Sequence, residues 1–212
     1  MTDSTKTLIA GLLDRSGSMS TSVAATEDGW REIISAQKAG SGQCQVTLAQ
    51  FDDEYEVVYP NTDINAVPEF VLQPRGRTAL LDSAGRLITE VGERLSALPE
   101  EQRPGQVICV IMTDGMENAS AHWTWEAVKR LITQQRDVYG WEFIFLGADI
   151  DAIGVGERLG MDRALSMQFD KRDYAASRAA FASTNELIRR KRSSGSVGSG
   201  FREADRKRAM GQ

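Results

Sequence analysis

The 212-residue chain is predicted to fold as one doubly wound α/β domain, with a mostly parallel sheet and helices on both faces. Three observations carry this expectation. Strand-like and helix-like segments alternate almost throughout, the pattern of a helix-covered parallel sheet. Three of the strand segments are nearly continuous apolar runs, as expected of strands buried on both faces. The length is right for a single sizeable core.

The strand segments are Thr7–Leu13, Gln45–Phe51, Glu56–Tyr59, Val107–Met112, Glu142–Leu146 and Ala164–Gln168. The link Asp52-Asp53-Glu54 is too short for a crossover helix and suits a hairpin, so one edge strand should be antiparallel. Helical spacing of apolar residues marks Ala24–Lys38, with Trp30, Ile33 and Ile34, and Leu80–Leu98, with Leu80, Ala84, Leu87, Ile88, Val91 and Leu95. Thr124 is placed to cap Trp125–Arg136. A short helix near Ala152–Leu159 and a last one over Asp173–Lys191 complete the series.

The domain should span residues 5–191, followed by a flexible Ser/Gly-rich linker and basic tail over 192–212. From Arg189 to Gln212 there are 8 basic and 2 acidic residues, a net +6, which leaves −11 on the remainder of a chain of net charge −5. A loose solvated tail, self-docking onto the acidic domain, and contact with an acidic partner all fit that asymmetry. The acidic balance gives no reason to expect nucleic acid as a partner. No apolar run approaches the ~20 residues needed to cross a bilayer, and Met1–Thr7 lacks a signal peptide's apolar stretch. Cys44 and Cys109 sit inside apolar runs as buried thiols, without a CxxC or Cys/His cluster. A reducing, cytoplasmic setting is the expectation.

Chemistry concentrates in three loops. Asp14 ends the first strand, and Ser16 and Ser18 follow at two-residue intervals around Gly17. A carboxylate with hydroxyls is a ligand set for a hard cation such as Mg²⁺ or Mn²⁺, although Asp and Ser after a strand also build ordinary turns. Thr113-Asp114-Gly115 ends the fourth strand. If the two strands are neighbours, Asp14 and Asp114 meet at the carboxyl edge of the sheet, where open α/β sheets bind ligands, and two close carboxylates call for a cation. Thr78, in Gly76-Arg77-Thr78-Ala79-Leu80, adds a hydroxyl or serves as a helix cap.

In this order and spacing, D-R-S-G-S-M-S, G-R-T-A-L and T-D-G resemble the three loops of a von Willebrand factor type A domain with an intact metal-ion-dependent adhesion site, most similar to short stand-alone prokaryotic or phage-like versions. The resemblance covers about Thr7 to Phe169. It implies strand order 3-2-1-4-5-6 with one antiparallel edge strand. It also implies Asp14, Ser16, Ser18, Thr78 and Asp114 as metal ligands, and recognition of an Asp or Glu carboxylate on a protein partner, such as an ATPase or an assembly component. Arg15, Met19, Arg77, Met116, Glu117 and Trp123 are expected to rim the ion.

The alternative is a structural subunit whose metal stabilises the fold and whose basic tail anchors it. A Mg²⁺-dependent hydrolase has less support. There is no G-x-x-x-x-G-K-[ST] or G-x-S-x-G motif, Ser16 stands where a D-x-D-x-T enzyme has a second Asp, and the third loop carries no lysine. His122, the only histidine, lacks a second imidazole nearby, and Asp149 or Asp151 is expected to cap the helix that follows.

Overall fold

In a computed structural model, which describes residues 1–194 and 200–212, six strands form one sheet. They are β1 (Asp3–Asp14), β2 (Gln43–Phe51), β3 (Tyr55–Asp63), β4 (Pro104–Thr113), β5 (Glu142–Ala148) and β6 (Ser166–Phe169). The sheet order is β3-β2-β1-β4-β5-β6. All neighbours are parallel except β2 and β3, which form the antiparallel hairpin expected at Asp52–Glu54.

Side-chain alternation along β1 divides the core into two layers. Ile9 and Leu13 face α1 (Val23–Lys38) and α5 (Tyr174–Ser194), while Leu8, Ala10 and Leu12 face α2 (Leu80–Ser96), α3 (Trp125–Tyr139) and α4 (Ala152–Arg158). Leu8, Ile9, Leu12 and Leu13 are fully buried, each worth about 1.5–3 kcal/mol of transfer free energy. The helices end as their sequences direct. Thr124 accepts the Ala127 N–H at 3.2 Å, Asp151 accepts that of Gly154 at 2.9 Å, and Gly140 closes α3 in a left-handed conformation.

The parallel register sets Leu13 beside Met112 and Asp14 beside Phe51. The ends of β1 and β4 therefore lie side by side, and the loops after them open at one edge. That edge is the switch point of the sheet, where the chain leaves β1 toward one side and β4 toward the other.

The C-terminal tail differs from the flexible segment expected after residue 191. Helix α5 runs on to Ser194, with Lys191 buried against Glu142 and the Arg192 guanidinium bonded to the Gln37 carbonyl at 2.8 Å. Most of the Ser/Gly-rich stretch, residues 195–199, lies outside the described residues. Beyond it the chain docks. Phe201 is buried and its N–H bonds to the Ala164 carbonyl at 2.9 Å. Helix α6 (Glu203–Ala209) then lays Ala209 into the α1/α5 layer. Its Arg206 guanidinium donates to the Ser166 carbonyl of the edge strand β6 at 2.5 Å. The tail caps a sheet edge, so part of its positive charge is spent on backbone carbonyls.

Candidate metal centre

The loop after β1 curls immediately. Asp14 is fully buried; one carboxylate oxygen accepts the Ser16 N–H at 2.6 Å, and the other accepts the Thr113 hydroxyl at 2.5 Å. The Ser16 and Ser18 hydroxyl oxygens lie 3.1 Å apart, and Ser18 donates to Asp114 Oδ1 at 2.6 Å. Asp14, Ser16, Ser18 and Asp114 thus form one linked group.

Thr78 joins them from the second loop. It is buried, and a Cβ added to Gly115 would stand 2.6 Å from its hydroxyl oxygen. The threonine hydroxyl therefore lies over the residue that follows Asp114, and glycine is the residue that leaves room for it. The three loops are clasped by backbone bonds. Gly17 N–H donates to the Gly76 carbonyl at 3.2 Å, Arg75 N–H to that of Arg15 at 2.8 Å, and Asn118 N–H to that of Thr78 at 3.0 Å. Asn118 also accepts the Thr78 N–H at 3.0 Å.

Electrostatics follow from burial. Desolvation pushes the Asp14 carboxyl up to about 6; hydrogen bonds from Thr113 and Ser16 oppose this, and the charge of Asp114 adds to it. Asp114 is compensated by a residue the sequence reading did not find. Lys171, on the loop between β6 and α5, places its ammonium 2.6 Å from Asp114 Oδ2 and 3.3 Å from the Ser18 carbonyl. No lysine lies in the third loop, but one reaches it through space. Its signal was available: Lys171 follows β6, and every parallel strand of such a sheet delivers its next loop to the same edge.

Several expected rim residues have other employment. Arg15 is buried, with its guanidinium on Asp52 at 3.2 Å and on Glu56, so it ties the first loop to the β2–β3 hairpin. Met19 is fully buried in the core. Glu117 turns its carboxylate onto the start of α2, where Oε2 accepts the Leu81 N–H at 2.9 Å and the Ser120 hydroxyl at 2.7 Å. Its Oε1 accepts the N–H groups of Ala119 and Ser120 at 3.0 and 2.8 Å. Trp123 is half-buried on α2, so close to Gly85 that a Cβ there would meet the indole at 2.3 Å. Arg77 and Met116 remain exposed beside the site. His122 is exposed, and its backbone N–H is bound by Asp82.

Among the described residues, no group of three or more His, Cys, Asp or Glu side chains is arranged to hold a metal. A cation at this edge would depend on two carboxylates supplemented by hydroxyls, a donor set that suits a hard divalent ion.

No family model matches the chain. No curated protein matches it either. Solved structures do. Proximal thread matrix protein 1 from the mussel byssus, with a zinc-occupied MIDAS motif, superposes with a TM-score of 0.65 at 16% identity, over 86% of this chain and 48% of that one. A von Willebrand factor type A structure from Catenulispora acidiphila gives 0.59 at 17% identity, over 85% and 42%. The vWF domain of the type V pili tip protein of Porphyromonas gingivalis gives 0.61 at 12% identity, over 90% and 97%. The chain spans about half the length of the mussel protein. Sheet order, the antiparallel edge strand, the flanking helices and these superpositions agree: the chain has the fold of a von Willebrand factor type A domain.

Proposed function

We propose that this chain is a divalent-cation-dependent protein-interaction module and not an enzyme. The observation that carries the reading is the convergence of Asp14, Ser16, Ser18, Thr78 and Asp114 from three loops onto one sheet edge. Ser18 is exposed there, while the two carboxylates are buried. Mg²⁺ or Mn²⁺ fits this set. Neutral hydroxyls with two carboxylates leave such an ion short of its six oxygens. When bound, the ion would supply an electrophilic position for an incoming oxygen.

An Asp or Glu side chain on a partner protein can supply a missing oxygen. The partner we infer is an ATPase or a component of a larger assembly. That other proteins of this fold are a byssal matrix protein and a pilus tip protein is consistent with a module that binds proteins. No helix among the described residues is long and apolar enough to cross a membrane. The two buried free thiols favour a reducing, cytoplasmic setting. The alternative, anchoring by a basic tail, loses support because Lys191, Arg192 and Arg206 are committed within the fold.

The test is thermal unfolding with Mn²⁺ or EDTA. Mn²⁺ should raise the wild-type midpoint, by ~2.7 kcal/mol of stabilisation at 100 times its Kd. Asp14→Ala and Asp114→Ala should each abolish the rise. An equal rise in both variants would place the ion elsewhere. For an isolated partner, binding that persists in EDTA would refute metal-dependent recognition.

A further inference from the structure

The Lys171–Asp114 pair has no place in the ligand set just proposed. Asp114 has both oxygens committed, Oδ1 to the Ser18 hydroxyl at 2.6 Å and Oδ2 to the Lys171 ammonium at 2.6 Å. The ammonium also bonds the Ser18 carbonyl at 3.3 Å. It therefore spans two of the loops that would hold the ion, and it is largely enclosed, with its side chain 15% exposed.

The backbone beneath it is fixed. Asp170 N–H donates to the Ala209 carbonyl of α6 at 3.0 Å, and the Asp170 carbonyl accepts the Ser177 hydroxyl of α5 at 3.2 Å. Asp170 Oδ1 takes the Arg172 N–H at 2.9 Å. The loop is thus held by two helices, while the charge stands at the end of a flexible four-carbon stem. The ammonium can leave Asp114 without the loop moving.

Formal charges then define two states. With both carboxylates ionised, Asp14, Asp114 and Lys171 sum to −1, so an added divalent ion gives +1. Without the lysine, the ion-loaded centre would be neutral. Lysine and metal ion compete for Asp114 because both are cations. Once the ion has won, the displaced ammonium remains tethered beside it, and the centre keeps one unit of positive charge for an anion.

We propose that Lys171 is a tethered cation of the metal centre: it holds Asp114 until a divalent ion displaces it, and it then supplies the surplus positive charge that selects an anionic ligand. The proposal rests on the metal-site reading above. It predicts opposite effects on two affinities from one substitution. A residue that merely supports the fold would lower both or neither.

The experiment compares the full-length wild type with Lys171→Met and Lys171→Arg, each checked for native circular dichroism. Mn²⁺ binding is read from the electron paramagnetic resonance of free Mn²⁺. Acetate capture by the Mn²⁺-loaded protein is read from water-proton relaxation. Lys171→Met should bind Mn²⁺ about tenfold more tightly, ~1.4 kcal/mol, and capture acetate several-fold more weakly. Lys171→Arg, which keeps the charge, should stay within about twofold of wild type in Mn²⁺ affinity, since the competing cation is retained. Unchanged or weaker Mn²⁺ binding by Lys171→Met would overturn the competition, and unchanged or stronger acetate capture would overturn the selection. If neither wild type nor Lys171→Met binds Mn²⁺, the metal-site reading itself falls. If wild type binds and Asp114→Ala does not, that reading stands, and the Lys171 result is judged alone.

Discussion

Replacing Glu117 with alanine separates two roles for a residue that the sequence places at the rim of the metal centre. In the structure its carboxylate accepts three backbone N–H groups, from Leu81, Ala119 and Ser120, and the Ser120 hydroxyl. Leu81 lies in the first turn of α2, so the charge also meets the positive end of that helix, a contribution of about 0.3–1 kcal/mol. Hydrogen bonds to a charged group are worth about 1.5–3 kcal/mol singly, but they are not additive and water replaces part of them at a half-buried site. The expected cost of Glu117→Ala is therefore about 2–4 kcal/mol. For a domain of this size that corresponds to a fall in Tm of roughly 4–16 °C at 2–4 °C per kcal/mol. Urea unfolding in EDTA measures the cost without contribution from metal. Because the next residue, Asn118, clasps Thr78, Mn²⁺ affinity should fall as well. Glu117→Gln should lose less, since its amide keeps one acceptor oxygen. If Glu117→Ala shifts stability by less than about 0.5 kcal/mol, the ordinary scatter of surface substitutions, yet abolishes partner binding, the capping account is wrong and the rim account right.

Two further outcomes follow from the structure. The Asp82 carboxyl is raised by burial, but the N–H donors of Ala121, Trp123 and His122 together outweigh this and hold it below the ordinary range. A lowered folded-state pKa gives stability that is present above the unfolded value near 3.9 and is lost as pH falls through the folded one. Asp82→Asn should therefore be less stable than wild type at pH 7, with the gap closing below about pH 4; a gap constant from pH 7 to 3 would contradict the assignment. Ending the chain at residue 199 removes the buried Phe201 and α6 from the β6 edge. That truncation should cost about 2–4 kcal/mol, the scale of one large apolar side chain plus its hydrogen bonds, whereas unchanged urea unfolding would restore the view of the tail as loose.

The elements that the sequence revealed most clearly are those whose pattern has one physical cause. Val107–Met112 and Phe143–Leu146 are apolar without alternation because both faces of β4 and β5 are covered. The short acidic link at Asp52–Glu54 suited a hairpin, and β2 and β3 pair antiparallel across it. The meeting of the loops that carry Asp14, Ser16, Ser18 and Asp114 was legible because oxygen donors directly after a buried strand are themselves a local pattern. Direction was not legible. Arg15 and Met19 stand within the first loop, yet both side chains point into the protein. Nearness in sequence to a site does not establish on which side of the backbone a side chain emerges. Glu117 and Trp123 were misplaced for a related reason, since their partners lie on α2, some 30 to 40 residues away. Lys171 stands 57 residues from Asp114, and only the shared sheet edge connects them. The tail eluded reading because one phenylalanine and one alanine among basic residues make no recognisable amphipathic face.

The two cysteines occupy opposite layers, Cys44 among the side chains beneath α1 and α5 and Cys109 among those beneath α2 and α3. Burial pushes their thiols up to about 11 and about 12, respectively, so neither is reactive while its layer is closed. Each native thiol is consequently a chemical clock for one half of the molecule. Its rate of alkylation reports how often that half opens. Comparing the two rates with and without a divalent ion would map how far an event at the sheet edge propagates, with no label introduced.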